Sequence, residues 1–241
     1  MDSNIEHLLS SSRILSGSAL KLIAVITMTV DHVTSHILVN CDAFIAPLLT
    51  YHNHALTWYV ILRCIGRLAF PIFAFLIVEG FIHTRDRHSY GMNLLTCALV
   101  SEFPWALLHN GFHLMGHNVI FTLLLGYLGL CVIDHYRNDW YKVGLILIGM
   151  LAFAFLFRAD YNGSGFAFII MLYALRNHLV LQVFAGCTML PMKWVAGLAF
   201  VPISMYNGQR GFIRGNVGKF LFYAFYPAHL LIIWIVQRYL L

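Results

Sequence analysis

Charge is what this chain has least of: Asp, Glu, Lys and Arg make up only 10% of its 241 residues. A soluble domain carries about 25%, so a water-bathed globular surface is excluded. Alternation of apolar and polar residues is also missing. The apolar runs are continuous, which argues against a transmembrane β-barrel. The opening stretch, MDSNIEHLLSSSRILSGS, has no basic segment ahead of its apolar run. No cleaved signal peptide is expected, and the first span should anchor the mature chain. No Walker A, GxSxG, HExxH or GxGxxG pattern occurs, nor any CxxC. The five cysteines, Cys41, Cys64, Cys97, Cys131 and Cys187, lie mostly within apolar runs and read as small packing residues. Internal repeats, low-complexity tracts and flexible linkers are absent too.

What is present is apolar: 60% of residues are hydrophobic and the mean hydropathy is +0.77. This composition predicts an all-α, polytopic transmembrane helix bundle forming one domain over residues 1–241, with no room for a separate soluble domain. Apolar runs fall near 18–38, 58–83, 90–109, 118–134, 143–157, 164–176, 178–190, 192–205 and 218–240. They give about nine spans, within a range of eight to ten. Several, 164–176 among them, are shorter than the ~20 residues of a full crossing. The region 164–205 reads either as three spans or as two with a re-entrant piece.

The net charge of +5 points to sidedness rather than to nucleic acid. With the N-terminus in the cytoplasm, Arg13, Lys21, Arg85, Arg87, Arg137, Lys142, Arg176, Arg210, Arg214 and Lys219 fall on the cytoplasmic side. Arg158, Lys193 and Arg238 fall outside. That bias predicts an N-in, C-out chain. The outer loops before Trp58 and before Val119 carry His52, His54, His113 and His117 and no Lys or Arg.

Against this background, Asp31, Arg63, Arg67 and Glu102 stand inside predicted spans. An ionisable group near the bilayer centre costs about 2.5–3.5 kcal/mol on insertion scales, so the four together cost on the order of 10 kcal/mol before pairing. At ~1.5 Å rise per residue, Asp31, His32, Arg67, Glu102 and His229 fall near one depth. They predict a single intramembrane site, against the alternative of a structural ion pair with hydrogen-bonded histidines. Neighbours in a helix diverge by about 100°, so Asp31 is not expected to orient His32. Asp31 is expected to pair with Arg67, while Arg63 needs a second anion. Pro71 should free the carbonyl of Arg67, and Pro227 that of Tyr223, one turn or so before His229. Arg85, Arg87, Arg210, Arg214 and Lys219 suit anionic lipid or a phosphorylated cofactor. His109, His113 and His117 have i, i+4 spacing, but Gly111 and Gly116 would break that helix. No metal is expected.

Six stretches in order, LKLIAVITMTVDHV, GRLAFPIFAFLIVEGF, NVIFTLLLGYLGL, ADYNGSGFAFIIMLY, YNGQRG and LFYAFYPAHLLI, resemble the TraX family of integral membrane proteins. They cover nearly the whole chain from about residue 19. Asn162 departs from the glycine that many relatives have after the Asp-Tyr pair. The resemblance implies a bacterial inner-membrane acetyltransferase taking acetyl from cytosolic acetyl-CoA. The family's founding activity is N-terminal acetylation of a conjugative pilin. It also implies kinship with a wider group of membrane acyltransferases that carry an intramembrane histidine on an early helix, which His32 matches. On that basis His32, Asp31, Arg67 and His229 are the catalytic candidates. Arg63, Arg85, Arg87, Arg210, Arg214 and Lys219 are candidates for holding acetyl-CoA, and Glu102, Tyr226 and Asn118 for contacting the acceptor. His32 would act as base or accept the acetyl group, and Arg67 would polarise the thioester carbonyl. The acceptor is a pilin amine or another envelope group such as a sugar hydroxyl. A proton-coupled transporter and a non-enzymatic pilin-assembly factor are the rival readings.

Overall fold

The structure is a computed structural model, and it describes residues 13–52, 54–109, 111, 116–190 and 193–239. Its helices follow the apolar runs, and their ends follow the capping residues. Helix α1 (Gly17–His36) starts where Ser16 Oγ accepts the N–H of Ala19 at 3.3 Å. After a 3-10 turn and a short helix α2 (Asp42–Ile45), β1 (Leu49–Tyr51) pairs antiparallel with β2 (His54–Leu56), Leu49 opposite Leu56. Apart from this short hairpin, the named elements of the described residues are helical, in line with the all-α expectation. Pairing within the loop satisfies its own N–H and C=O groups.

Thr57 caps α3 (Trp58–Gly66), and α4 (Ala69–His83) continues the same span. The interruption at Arg67–Leu68 follows from Pro71, which has no N–H to offer the Arg67 carbonyl. Asp86 caps α5 (Arg87–Leu108), and Asn118 caps α6 (Val119–His135). Asp139 caps α7 (Trp140–Phe157), which ends at Arg158 in the left-handed region, φ 50°. Tyr161 and Asn162 are left-handed as well, φ 64° and 44°, before α8 (Asn162–Ala174) takes hold. Asparagine tolerates that conformation. The chain continues through α9 (Leu179–Met189), α10 (Lys193–Leu198) and α11 (Phe200–Ser204) to α12 (Gly215–Tyr239), which runs on through Pro227.

Among the described residues five helices are long and apolar enough to cross a membrane: Gly17–Asn40, Trp58–His83, Arg87–Leu108, Trp140–Phe157 and Gly215–Tyr239. Shorter apolar helices occupy Val119–His135, Asn162–Ala174, Leu179–Met189 and Trp194–Ser204. The protein is therefore a multi-pass helical membrane protein. The nine apolar runs of the sequence each give a helix or a broken pair. The region 164–205 resolves into separate short helices.

The core is built where α1, α4, α5, α6, α8 and α12 meet, around Leu20, Ala24, Ile72, Phe168, Leu172 and Leu230. Helix α7 lies outside it, with Leu145, Ile148, Phe155 and Leu156 exposed, as a lipid-facing helix requires. The segment before α12 is stitched to the start of α1. Ser18 N–H and Oγ both donate to the Arg210 carbonyl at 2.9 Å, and Ser18 Oγ accepts from Ile213 N–H at 2.8 Å. Gly211 sits there at φ +86° against the side chains of Ser16 and Ser18, where a Cβ would collide. The starts of α1 and α12 are thus pinned together, and the two helices rise side by side.

Candidate functional site

That parallel rise sets the central contact. His32 lies 15 residues into α1 and His229 14 residues into α12, counting from Gly17 and Gly215, so they meet. His32 Nδ1 is 2.8 Å from His229 Nε2, and the rings stack with centroids 5.0 Å apart. On the other side, His229 Nδ1 is 3.1 Å from the carbonyl oxygen of Phe225. A carbonyl only accepts, so His229 carries its proton on Nδ1. With both rings neutral, His229 Nε2 is then an acceptor, and His32 Nδ1 donates to it. The lone pair of His32 is left on Nε2. Phe225 stacks on His229 at 5.1 Å, and Tyr226 stands edge-on to His32 at 6.4 Å.

Asp31 points away from this pair, as the helical angle requires, toward α3. Its partner corrects the expected one. Asp31 Oδ2 is 2.6 Å from Arg63 Nη1, not bound to Arg67, and the two side chains are 15% and 19% exposed. The reason is the close approach of Gly66: a Cβ there would overlap the Asp31 carboxylate. The helix then breaks, and Arg67 turns toward α8. It donates to the Tyr161 hydroxyl at 3.4 Å, within electrostatic reach of Asp160. The second anion needed beside the arginines is therefore a residue of this chain. The carboxylate of Asp160 accepts from the N–H of Tyr161 at 3.0 Å, its N–H donates to the His117 carbonyl at 2.9 Å, and its carbonyl accepts from Thr122. Tyr161 stacks on Phe70 at 3.8 Å. The sequence reads Tyr161-Asn162-Gly163-Ser164-Gly165 as a turn between spans. Its signal of more was an Asp-Tyr pair between two apolar runs.

Glu102 and Asn118 form a third set. Glu102 Oε1 is 2.7 Å from His117 Nδ1, and Oε2 accepts from Asn118 Nδ2 at 2.7 Å. Asn118 is fully buried. The polar groups expected at one site thus occupy separate bonded sets, because the helices pass around one another rather than converge on a point. His109 stacks on Trp105 at 4.0 Å and faces His36 edge-on at 5.4 Å. His113 lies outside the described residues. Among the described residues no group of three His, Cys, Asp or Glu is placed to hold a metal ion.

A cavity of about 570 Å³ runs between α1, α4, α5, α6 and α12. Its mouth carries Lys21, Arg210 and Lys219 together with Glu79 and Asp86, and its inner end Met28, Cys97, Val119, Phe225 and Tyr226. The inner end therefore reaches to one helical turn below each histidine, at Met28 and Phe225, while His32 and His229 themselves do not line it. Cys97 Sγ donates at 3.5 Å to the Tyr223 carbonyl, the one that Pro227 deprives of its helical donor. Of the cationic candidates, Arg210 and Lys219 line the cavity and Arg63, Arg85, Arg87 and Arg214 do not. Arg87 pairs with Asp134, and Arg214 Nε donates to the Gly211 carbonyl at 2.6 Å. Lys21 was not among those candidates. It stands 4.9 Å over the Phe222 ring, and nothing local in sequence separates it from other basic residues at span ends. A second hollow of about 370 Å³ opens at the opposite end, beside Trp105, His117, Asp160 and Tyr161.

Fold and site define a multi-pass helical membrane protein with a histidine pair, His229 buried and His32 half-buried, near the inner end of a cavity between its helices. The model of the TraX protein family matches residues 16–237, so the chain belongs to that family. It is similar to the "Probable fimbrial assembly protein FimC, serogroup H1" of Dichelobacter nodosus, with 28% identity over 259 residues, 93% of this chain and 97% of that protein. No solved structure matches.

Proposed function

We propose that the protein is an acetyltransferase of the bacterial inner membrane. It moves an acetyl group from cytosolic acetyl-CoA to an acceptor at the outer side, in the first place the N-terminal amine of a pilin. The observation that carries this reading is the His32–His229 pair, which leaves a lone pair on His32 Nε2 and stands one helical turn above Met28 and Phe225 at the inner end of a 570 Å³ cavity whose mouth is lined by Lys21, Arg210 and Lys219. Family membership supports acetyl transfer, and the relative's name supports a fimbrial setting. The mouth lies at the cytoplasmic end in the N-in orientation favoured by the basic residues. There the cations receive the phosphates of CoA and the pantetheine arm extends inward. His32 Nε2 takes the proton of the attacking amine. His229 holds the ring in the required tautomer, as an orienting acceptor does for any catalytic imidazole. The acceptor comes from the opposite end, where Glu102, Asn118 and the Asp160 loop lie.

Purified protein in nanodiscs, given acetyl-CoA and a short peptide with a free N-terminal amine, is expected to release CoA. Acetyl-CoA alone is expected to raise the unfolding temperature, by the equivalent of about 2.7 kcal/mol at a hundred times Kd. A proton-coupled transporter or a non-enzymatic assembly factor gives neither result, and the absence of both overturns the reading.

Arg210→Ala and Lys219→Ala are expected to raise the acetyl-CoA concentration needed for half-maximal rate, each about tenfold, with kcat unchanged. Loss of phosphate contacts removes binding common to ground and transition states. The defect should shrink in high salt, where screening weakens the wild-type attraction. An unchanged KM in both variants would move the nucleotide elsewhere.

A further inference from the structure

The inner end of the cavity holds a group with no task so far. Tyr226 is 5% exposed and lines the cavity, and its hydroxyl has no hydrogen-bond partner of good geometry. A buried hydroxyl left unpaired costs about 1–3 kcal/mol, a cost a fold retains where the group meets a ligand. Beside that hydroxyl lies the backbone N–H of Val119, the first residue of α6. Helix α6 has 17 residues, and its N-terminus is buried, with Asn118 fully enclosed. The cap takes the N–H of Ile120, through Asn118 Oδ1 at 3.1 Å. The N–H of Val119 has no helical acceptor, as at any helix start. Val119 and Ile120 both line the cavity. The nearby Glu102 carboxylate is engaged by His117 and Asn118. A buried hydroxyl and the amide that faces it, at the positive end of a helix, thus meet at the cavity end, with the His32 ring 6.4 Å from that of Tyr226.

Resting on the acetyl-transfer reading, we propose that the Tyr226 hydroxyl and the N-terminus of α6 form the oxyanion site for the thioester carbonyl of the acyl donor. The acceptor amine attacks the carbonyl carbon, a C–N bond forms, and the π electrons move onto the oxygen, where Tyr226 O–H and Val119 N–H stabilise them. His32 Nε2 takes one proton from the nitrogen. Collapse of the adduct breaks the C–S bond, and the departing thiolate takes the proton back from His32. Amine and thioester become amide and thiol, with nothing else consumed. Tyr226 is then a catalytic residue, in the place that the sequence reading gave to Arg67, which is held by Tyr161 and does not line the cavity.

The test is Tyr226→Phe, which keeps the ring and its packing. Two measurements are made in nanodiscs: peptide acetylation, and the carbonyl stretch of bound acetyl-CoA labelled with carbon-13 at the thioester. The expected result is a kcat lower by about 10²–10³-fold, unchanged half-saturation by acetyl-CoA, and a carbonyl band at lower frequency in the wild type than in the variant. Coincident bands overturn the oxyanion role whatever the rate does. An unchanged kcat overturns it as well. Failure of the wild type to bind or turn over acetyl-CoA is a different result: it removes the acetyl-transfer reading, and this proposal with it.

Discussion

Replacing His32 by alanine is expected to abolish acetyl transfer while the bundle still folds and inserts. General-base help is worth about 10²–10⁴-fold, and no other imidazole takes over the geometry. His229 Nδ1 is committed to the Phe225 carbonyl, and its Nε2 faces the position vacated. The pair also predicts a graded response at His229. His229→Ala removes the acceptor that fixes the His32 tautomer, so it should lower kcat severely while leaving acetyl-CoA binding intact. His229→Gln offers an amide oxygen to the same Nδ1–H and should recover part of the loss. Rates from the peptide acetylation assay, with unfolding temperatures as a control for folding, check all three. A His32→Ala protein that still acetylates at the wild-type rate would remove both the base and any acyl-histidine from the mechanism.

The second large effect is on stability, and it is asymmetric. Asp31 faces two cations, bound to Arg63 and within reach of Arg67. Asp31→Asn leaves both with less counter-charge in a water-poor setting, where an uncompensated buried charge costs about 3–5 kcal/mol. Arg63→Met costs less, because Arg67 remains beside the carboxylate. In the double variant the Asp31→Asn penalty should fall, since one of the two cations is gone. Thermal unfolding in nanodiscs gives the three values as a double-mutant cycle. Arg63→Met more damaging than Asp31→Asn would show that the pair is held by packing rather than by charge. Gly66 belongs to the same unit, since its bare backbone lets the carboxylate lie against α3.

The class of protein and most helix positions were legible in the sequence, for a physical reason. Apolar run length and capping residues act locally, so Ser16, Thr57, Asp86, Asn118 and Asp139 mark their helix starts without tertiary help. Pro71 likewise announces the break at Arg67. The divergence of Asp31 from His32 follows from helix geometry alone. The hairpin at Leu49–Tyr51 and His54–Leu56 escaped notice because a three-residue strand has too few positions to show alternation.

MTVDHVTSH by itself determined that an acid and an imidazole sit adjacent in a span and must find separate partners. Only the tertiary structure decided which partners. His229 is 197 residues away in sequence, and it reaches His32 because the Ser18–Arg210 stitch sets α1 and α12 in register. Arg63 prevails over Arg67 because Gly66 allows contact one turn earlier than depth counting suggests. The cavity beneath them belongs to five helices at once. A sequence pattern fixes which face of a helix is polar. How far helices slide and turn against one another depends on the side chains wedged between them, and those come from distant parts of the chain.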